Sequence, residues 1–190
     1  MKIQKLIFAI FLILLISCDE QKVETEYHKI ADINGKFPLP KDYFQISSEK
    51  AMVLAGGMNK PNSKALTNKM NAKLNHFIDK NNEQNLVSIT NAVPKLDIEK
   101  EFLNGFAQMI EEETFNNLSK PSNHRLIDKK FFKSKDNKSL KVKFDYESAE
   151  SKKYFTLFLV TTTKQSFIIT QHSNTKSDIQ TMVTEYMRKN

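Results

Sequence analysis

From His124 onward apolar residues fall at every second position, and a period of two admits strands and little else. Leu140, Val142, Phe144 and Tyr146 alternate with Lys141, Lys143 and Asp145. Successive side chains of a strand point to opposite faces, so this run predicts one buried face and one wet face. Leu126 to Lys133 reads as the strand before it, with Ser134-Lys135-Asp136-Asn137 as the turn between them. Tyr154 to Val160 is apolar on both faces, as a central strand should be. Thr163-Lys164-Gln165 then turns the chain into Phe167, Ile168 and Ile169. The four runs predict an antiparallel meander.

Such a meander needs cover, and amphipathic helices supply it. Ile179, Met182, Val183, Tyr186 and Met187 make a stripe of helical period at the C-terminus. Ser177 and Gln180 before it have the spacing of a capping box. A second stripe, Leu66, Met70, Leu74, Phe77 and Ile78, predicts a helix from Asn62 or Ser63 to about Lys80. A third helix is expected after Asp97 as cap, with Ile98, Phe102, Phe106, Met109 and Ile110 on one face. Glu99 and Glu101 suit its first turn; Glu111-Glu112-Glu113 oppose the dipole at its end and predict fraying. Ala51 to Leu54 reads as a helical turn before the Gly56-Gly57 and Pro61 loop, and Leu86 to Thr90 as a short strand. Near the start, Phe37 and Leu39 precede Pro40-Lys41-Asp42, and Phe44 and Ile46 follow it. That is turn chemistry, and Pro38 and Pro40 restrict the pair to a sheet edge, so an edge hairpin is expected. The class is α+β: an antiparallel sheet with a C-terminal four-strand meander and helices packed on it.

This order, with KYFTLFLVTTTKQSFIIT running into a terminal amphipathic helix, resembles PsbP-like and DcrB-like domains over residues 34–190. The resemblance implies an α/β/α sandwich used for binding or assembly, without a shared catalytic site.

The N-terminus carries an address. Lys2 and Lys5 precede an unbroken apolar run from Leu6 to Ile16. Eleven residues are too few to cross a bilayer, which takes about 20, and match a signal-peptide core of about 7–15. Leu15-Ile16-Ser17-Cys18 resembles a bacterial lipobox. The resemblance implies cleavage after Ser17 and lipidation of Cys18, with the protein held on the periplasmic or surface side of a bacterial envelope membrane. Cys18 is the one cysteine in the sequence, so no intramolecular disulfide can form. Residues 1–17 are expected to be signal, 18–33 the lipidated cysteine and tether, with Asp19 to Glu26 its polar part, and 34–190 one domain. Loss of the signal takes away two lysines and no acid, lowering the formal charge from +7 to +5. Only Arg125 and Arg188 are arginine, so the chain lacks the planar forks that favour phosphate and base recognition. No nucleic-acid partner is expected; the partners are the membrane and an envelope protein.

Nothing in the sequence demands a catalytic centre, metal or cofactor. Four glycines leave no phosphate-cradling loop. The histidines, His28, His76, His124 and His172, recur every 48 residues without a repeat around them or metal-ligand spacing. Asp145 with Glu147, and Glu111 to Glu113, read as solvated acids. The binding candidate is the segment Lys129 to Lys138, in which Lys129, Lys130, Lys133 and Lys135 surround Phe131 and Phe132. It could press on anionic lipid or an acidic partner, or be a wet hairpin with a phenylalanine in the core. Tyr43 and Phe44 form a second candidate. The chain thus reads as a lipid-anchored binding or assembly module; an inhibitory lipoprotein and a small envelope hydrolase are the alternatives.

Overall fold

The computed structural model describes residues 23–30, 33–56, 74–90, 93–116, 123–148 and 151–190. Cys18 and the signal lie outside these residues, as does the helix expected from 62 as far as residue 73.

The period-two runs form the meander. β7 (His124–Ser134), β8 (Asn137–Ser148), β9 (Ser151–Thr161) and β10 (Gln165–Ser173) pair antiparallel in sequence order. Lys135, at φ 55°, makes the β7–β8 turn. A larger sheet continues beyond β10 through β5 (Asn82–Thr90), β4 (Leu74–Asp79) and β3 (Tyr43–Ile46). The two-residue β6 (Val93–Pro94) also lies against β10. A separate two-stranded sheet joins β1 (Thr25–Lys29) to β2 (Lys36–Pro40). Three α-helices complete the described residues: α1 (Ser48–Gly56), α2 (Leu103–Glu111) and α3 (Gln180–Lys189).

Two cores sandwich the sheet. On one face α3 and β2 bury Phe37, Leu39, Phe158, Val160, Phe167, Ile169 and Tyr186. On the other, α2 buries Phe106 and Ile110 against Leu140, Val142, Phe144, Phe155 and Leu157. β9 feeds both: Phe155, Leu157 and Leu159 face α2, while Phe158 and Val160 face α3. The α3 stripe is buried throughout, from Ile179 to Met187. Gly35 fits where β2 begins because its φ is 78° and a Cβ there would run into the Asn190 side chain.

Five local expectations are corrected. The end of the expected tether is strand: Thr25–Lys29 pairs with β2, and Ile30 and Ile33 are buried. Residues 34–46 contain both expected strands, but β2 pairs with β1 and β3 with β4, so they form no hairpin with each other. Leu74–Asp79 is strand, because Phe77 and Ile78 are buried on opposite faces of a sheet between β3 and β5. The third helix starts with a 3-10 turn, Lys100–Phe102, and Asp97 pairs with Lys138 at 3.5 Å in place of capping it; Phe102 and Met109 are exposed. Ser177 makes no capping box, since α3 starts at Gln180 behind Ile179 with no side-chain cap.

Candidate functional site

The largest departure from sequence reading lies on β8. Lys141, Lys143 and Asp145, expected wet, are 3 %, 4 % and 6 % exposed. Alternation puts them on the face that α3 and its leading loop cover. Lys141 Nζ lies 2.8 Å from Asp178 Oδ2, 2.7 Å from Asp128 Oδ2 and 3.0 Å from Gln180 Oε1. Lys143 Nζ meets the same Asp178 oxygen at 2.8 Å and the carbonyl of Lys176. Asp178 Oδ1 in turn accepts from the Gln180 amide at 3.0 Å. One carboxylate therefore joins two buried ammonium groups and the first turn of α3. Burial opposes its ionisation, but the bonds from Lys141 and Lys143 outweigh burial and hold its carboxyl below the usual range.

Further along β8 the buried charges open into a cleft of about 250 Å³, lined by Asn123, His124, Arg125, Asp145, Tyr146, Glu147 and Lys152. Asp145 is its pivot. Its Oδ2 takes Arg125 Nη2 at 2.9 Å and Lys152 Nζ at 2.8 Å, while the two cationic side chains stay 70 % and 52 % exposed. Burial again opposes ionisation, and the bonds from Lys152 and Arg125 again prevail, lowering the carboxyl. Behind the cleft His124 Nε2 lies 3.0 Å from Glu111 Oε1, and its ring stacks on Phe115 at 4.5 Å. Burial pushes the Tyr146 phenol up to about 12, so it offers no phenolate near neutral pH.

The lysines expected to form a patch do not converge. Phe131 and Phe132 pack into opposite cores, so the side chains of β7 divide between the faces. Lys129 reaches Asn104 on α2 at 2.7 Å, whereas Lys130 lies over the Phe132 ring at 5.2 Å. Lys133 and Lys135 are exposed near the tip. Among the described residues β7 ends the sheet, and lysines on an edge strand discourage pairing with another chain; a register shift between Leu126 and Asp128 adds to this. Tyr43 and Phe44 separate likewise. Tyr43 is buried, which pushes its phenol up, while Phe44 is exposed beneath Lys50 at 5.7 Å.

The histidines sit on separate strands. His28 meets Phe77 edge-on at 5.0 Å, and His76 Nδ1 lies 2.8 Å from Ser88 Oγ; burial lowers both. His172 is buried against Phe155, has no partner for Nδ1 among the described residues, and is lowered to about 4. Among the described residues no three His, Cys, Asp or Glu are placed to hold a metal ion.

The lowering at His172 has a consequence for stability. The unfolded chain protonates this ring near pH 6.5, the folded chain only near 4, so the unfolded state binds more protons between those values. The contribution is full above pH 6.5 and lost as pH falls toward 4. Between pH 7 and pH 5 the unfolding free energy should drop by about 2 kcal/mol from this group. Urea titrations of wild type and His172→Phe at both pH values check it: the drop should shrink by that amount in the variant.

Sequence reading missed the Arg125–Asp145–Lys152 grouping. Arg125 was notable as one of two arginines and Asp145 with Glu147 as paired acids, but only strand register brings β7, β8 and β9 together. Arg125 faces Asp145, Asp145 faces Tyr154, and Lys152 lies two pairs further along on the same face, opposite Glu147.

No protein-family model matches the chain, and no curated protein matches it. Among solved structures the chain is similar to the solution structure of cyanobacterial PsbP (CyanoP) from Synechocystis sp. PCC 6803, with a TM-score of 0.50 over 90 % of this chain and 92 % of that one. At 8 % identity the likeness concerns the fold: a largely antiparallel sheet with few helices and a C-terminal meander, as the PsbP-like pattern implied.

Proposed function

We propose that this chain is a lipid-anchored module of the bacterial envelope that binds or assembles with a partner and catalyses no reaction of its own. The observation that carries the reading is Leu15-Ile16-Ser17-Cys18, placed directly after the basic and apolar segments of a signal. Attachment through lipid is consistent with a described domain in which no helix is long and apolar enough to cross a membrane. β1 begins seven residues after Cys18, which limits the separation of domain and membrane to about 25 Å at ~3.3–3.6 Å per residue. The cleft favours recognition over turnover: Arg125 and Lys152 are both bonded to Asp145, and the phenol beside them is held protonated.

The test is the protein purified from its host. It should begin at Cys18, carry acyl mass and remain with the membrane fraction. Cys18→Ser should leave most of the protein in the wash. A native protein that keeps Met1, or a serine variant bound as firmly as wild type, overturns the reading.

A further inference from the structure

Strand directions place the cleft relative to the point where the chain enters the domain. Thr25, the first residue of β1, pairs with Pro40, and the Lys41–Asp42 turn after it meets the β4–β5 turn, where the Lys80 amide donates to Asp42 O at 2.8 Å. That end of the main sheet is also the end of the β8–β9 connection and the cleft. The β7–β8 tip lies at the other end, with the C-terminus of α3, where Asn137 Nδ2 donates to Met187 O at 2.8 Å. The twelve residues of β8 separate the two ends by about 40 Å at ~3.3–3.4 Å each, more than the reach from Cys18. A chain tied at Cys18 can bring the cleft to the membrane, while Lys133 and Lys135 lie at the opposite end of the sheet.

The cleft's chemistry is mixed. Arg125 carries five N–H donors and Lys152 three, and Asp145 takes one bond from each. Glu147 stands exposed on the same wall. A bare phosphate would meet Asp145 and Glu147 as well as the two cations; a bare amine would meet the reverse. A short zwitterion satisfies both signs. The volume, about 250 Å³, falls below the ~300–1,000 Å³ of pockets for drug-sized ligands and suits a single polar group.

We propose that this cleft holds a phosphoethanolamine group, presented as a lipid headgroup by the membrane that anchors the chain. The phosphate accepts from Arg125 and Lys152, and the ammonium donates to Glu147. The assignment rests on the anchored reading above.

The test uses the full lipidated protein in vesicles, with a photo-crosslinking residue replacing Ser151, beside the cleft, or Lys135, at the far tip. The vesicles contain phosphatidylcholine alone or with phosphatidylethanolamine or phosphatidylglycerol. Lipid adducts at Ser151 should be about tenfold more abundant with phosphatidylethanolamine, and Arg125→Gln with Lys152→Gln should remove that excess, as loss of charged hydrogen bonds predicts. Equal adducts in all three lipids, or an excess with phosphatidylglycerol, overturn the zwitterion. Adducts at Lys135 in place of Ser151 overturn the orientation. Soluble glycerophosphoethanolamine, titrated by calorimetry, separates the sources. If it binds, with the same dependence on Arg125 and Lys152, while lipid gives no adduct, the lipid source is overturned. A lipidated protein that binds neither form overturns the proposal and leaves the anchored reading standing. A native protein that retains Met1 overturns the anchored reading, and the soluble titration still decides for or against the cleft.

Discussion

Replacing Asp178 by alanine should destabilise the protein by about 3–5 kcal/mol, the cost of removing one partner from a buried ion pair. The size follows from what remains. Lys141 and Lys143 keep their ammonium groups in a place where they are 3 % and 4 % exposed. Lys141 retains Asp128, but among the described residues Lys143 retains only the Lys176 carbonyl. Gln180 also loses the acceptor for its amide at the start of α3. Urea unfolding at pH 7 measures the loss. A second variant separates the cause from simple truncation: adding Lys141→Met and Lys143→Leu to Asp178→Ala should restore most of it, because apolar replacement of a whole buried ionic group is often neutral or stabilising. A loss below about 1 kcal/mol in the single variant, the usual size for an exposed pair, would show the cluster to be solvated. The pH dependence has a fixed sign. The folded carboxyl lies below its unfolded value, so its contribution is present above pH ~4 and disappears as pH falls through the folded value. Acid should therefore destabilise wild type more steeply than the triple variant.

The same cluster marks where sequence stops informing. Alternation along Leu140–Tyr146 established two faces correctly, yet nothing within β8 says what lies above either. The cover of Lys141 and Lys143 comes from Asp178 and Gln180, more than thirty residues later. The meander and terminal helix were legible because each carries its own period over several repeats. Leu74, Phe77 and Ile78 were misread because spacings of three and four also occur by chance in a short strand buried on both faces. The strands at 36–46 were legible; their partners were not, because pairing with β1 and β4 is set by contacts from elsewhere. In the cleft, Asp145 and Arg125 could be noticed singly, and only register made them one site.

Phe115→Ala should cost about 3–5 kcal/mol, the range for truncating a buried phenylalanine. The acidic run Glu111-Glu112-Glu113 predicts a frayed helix end, and at such an end the change would cost well under 1 kcal/mol. The structure instead continues α2 into a π-helical turn, Glu112–Asn116. Its wider winding carries Phe115 down onto the sheet, where the side chain is 1 % exposed. There the ring stacks on His124 at 4.5 Å and meets Phe144, Tyr146 and Phe155 at 5.1, 5.7 and 6.1 Å. The Glu111–His124 bond at 3.0 Å fastens the same turn to β7, offsetting the unfavourable dipole of acids at a helix end. Truncation would leave a cavity bordered by aromatic rings too rigid to close it. Phe115→Leu, which keeps most of the volume, should cost much less. Comparing the two variants by urea unfolding distinguishes a buried anchor from a frayed end, since fraying predicts equal and small losses. Tyr146 and His124 also line the cleft, so glycerophosphoethanolamine affinity should fall with Phe115→Ala even where the protein remains folded.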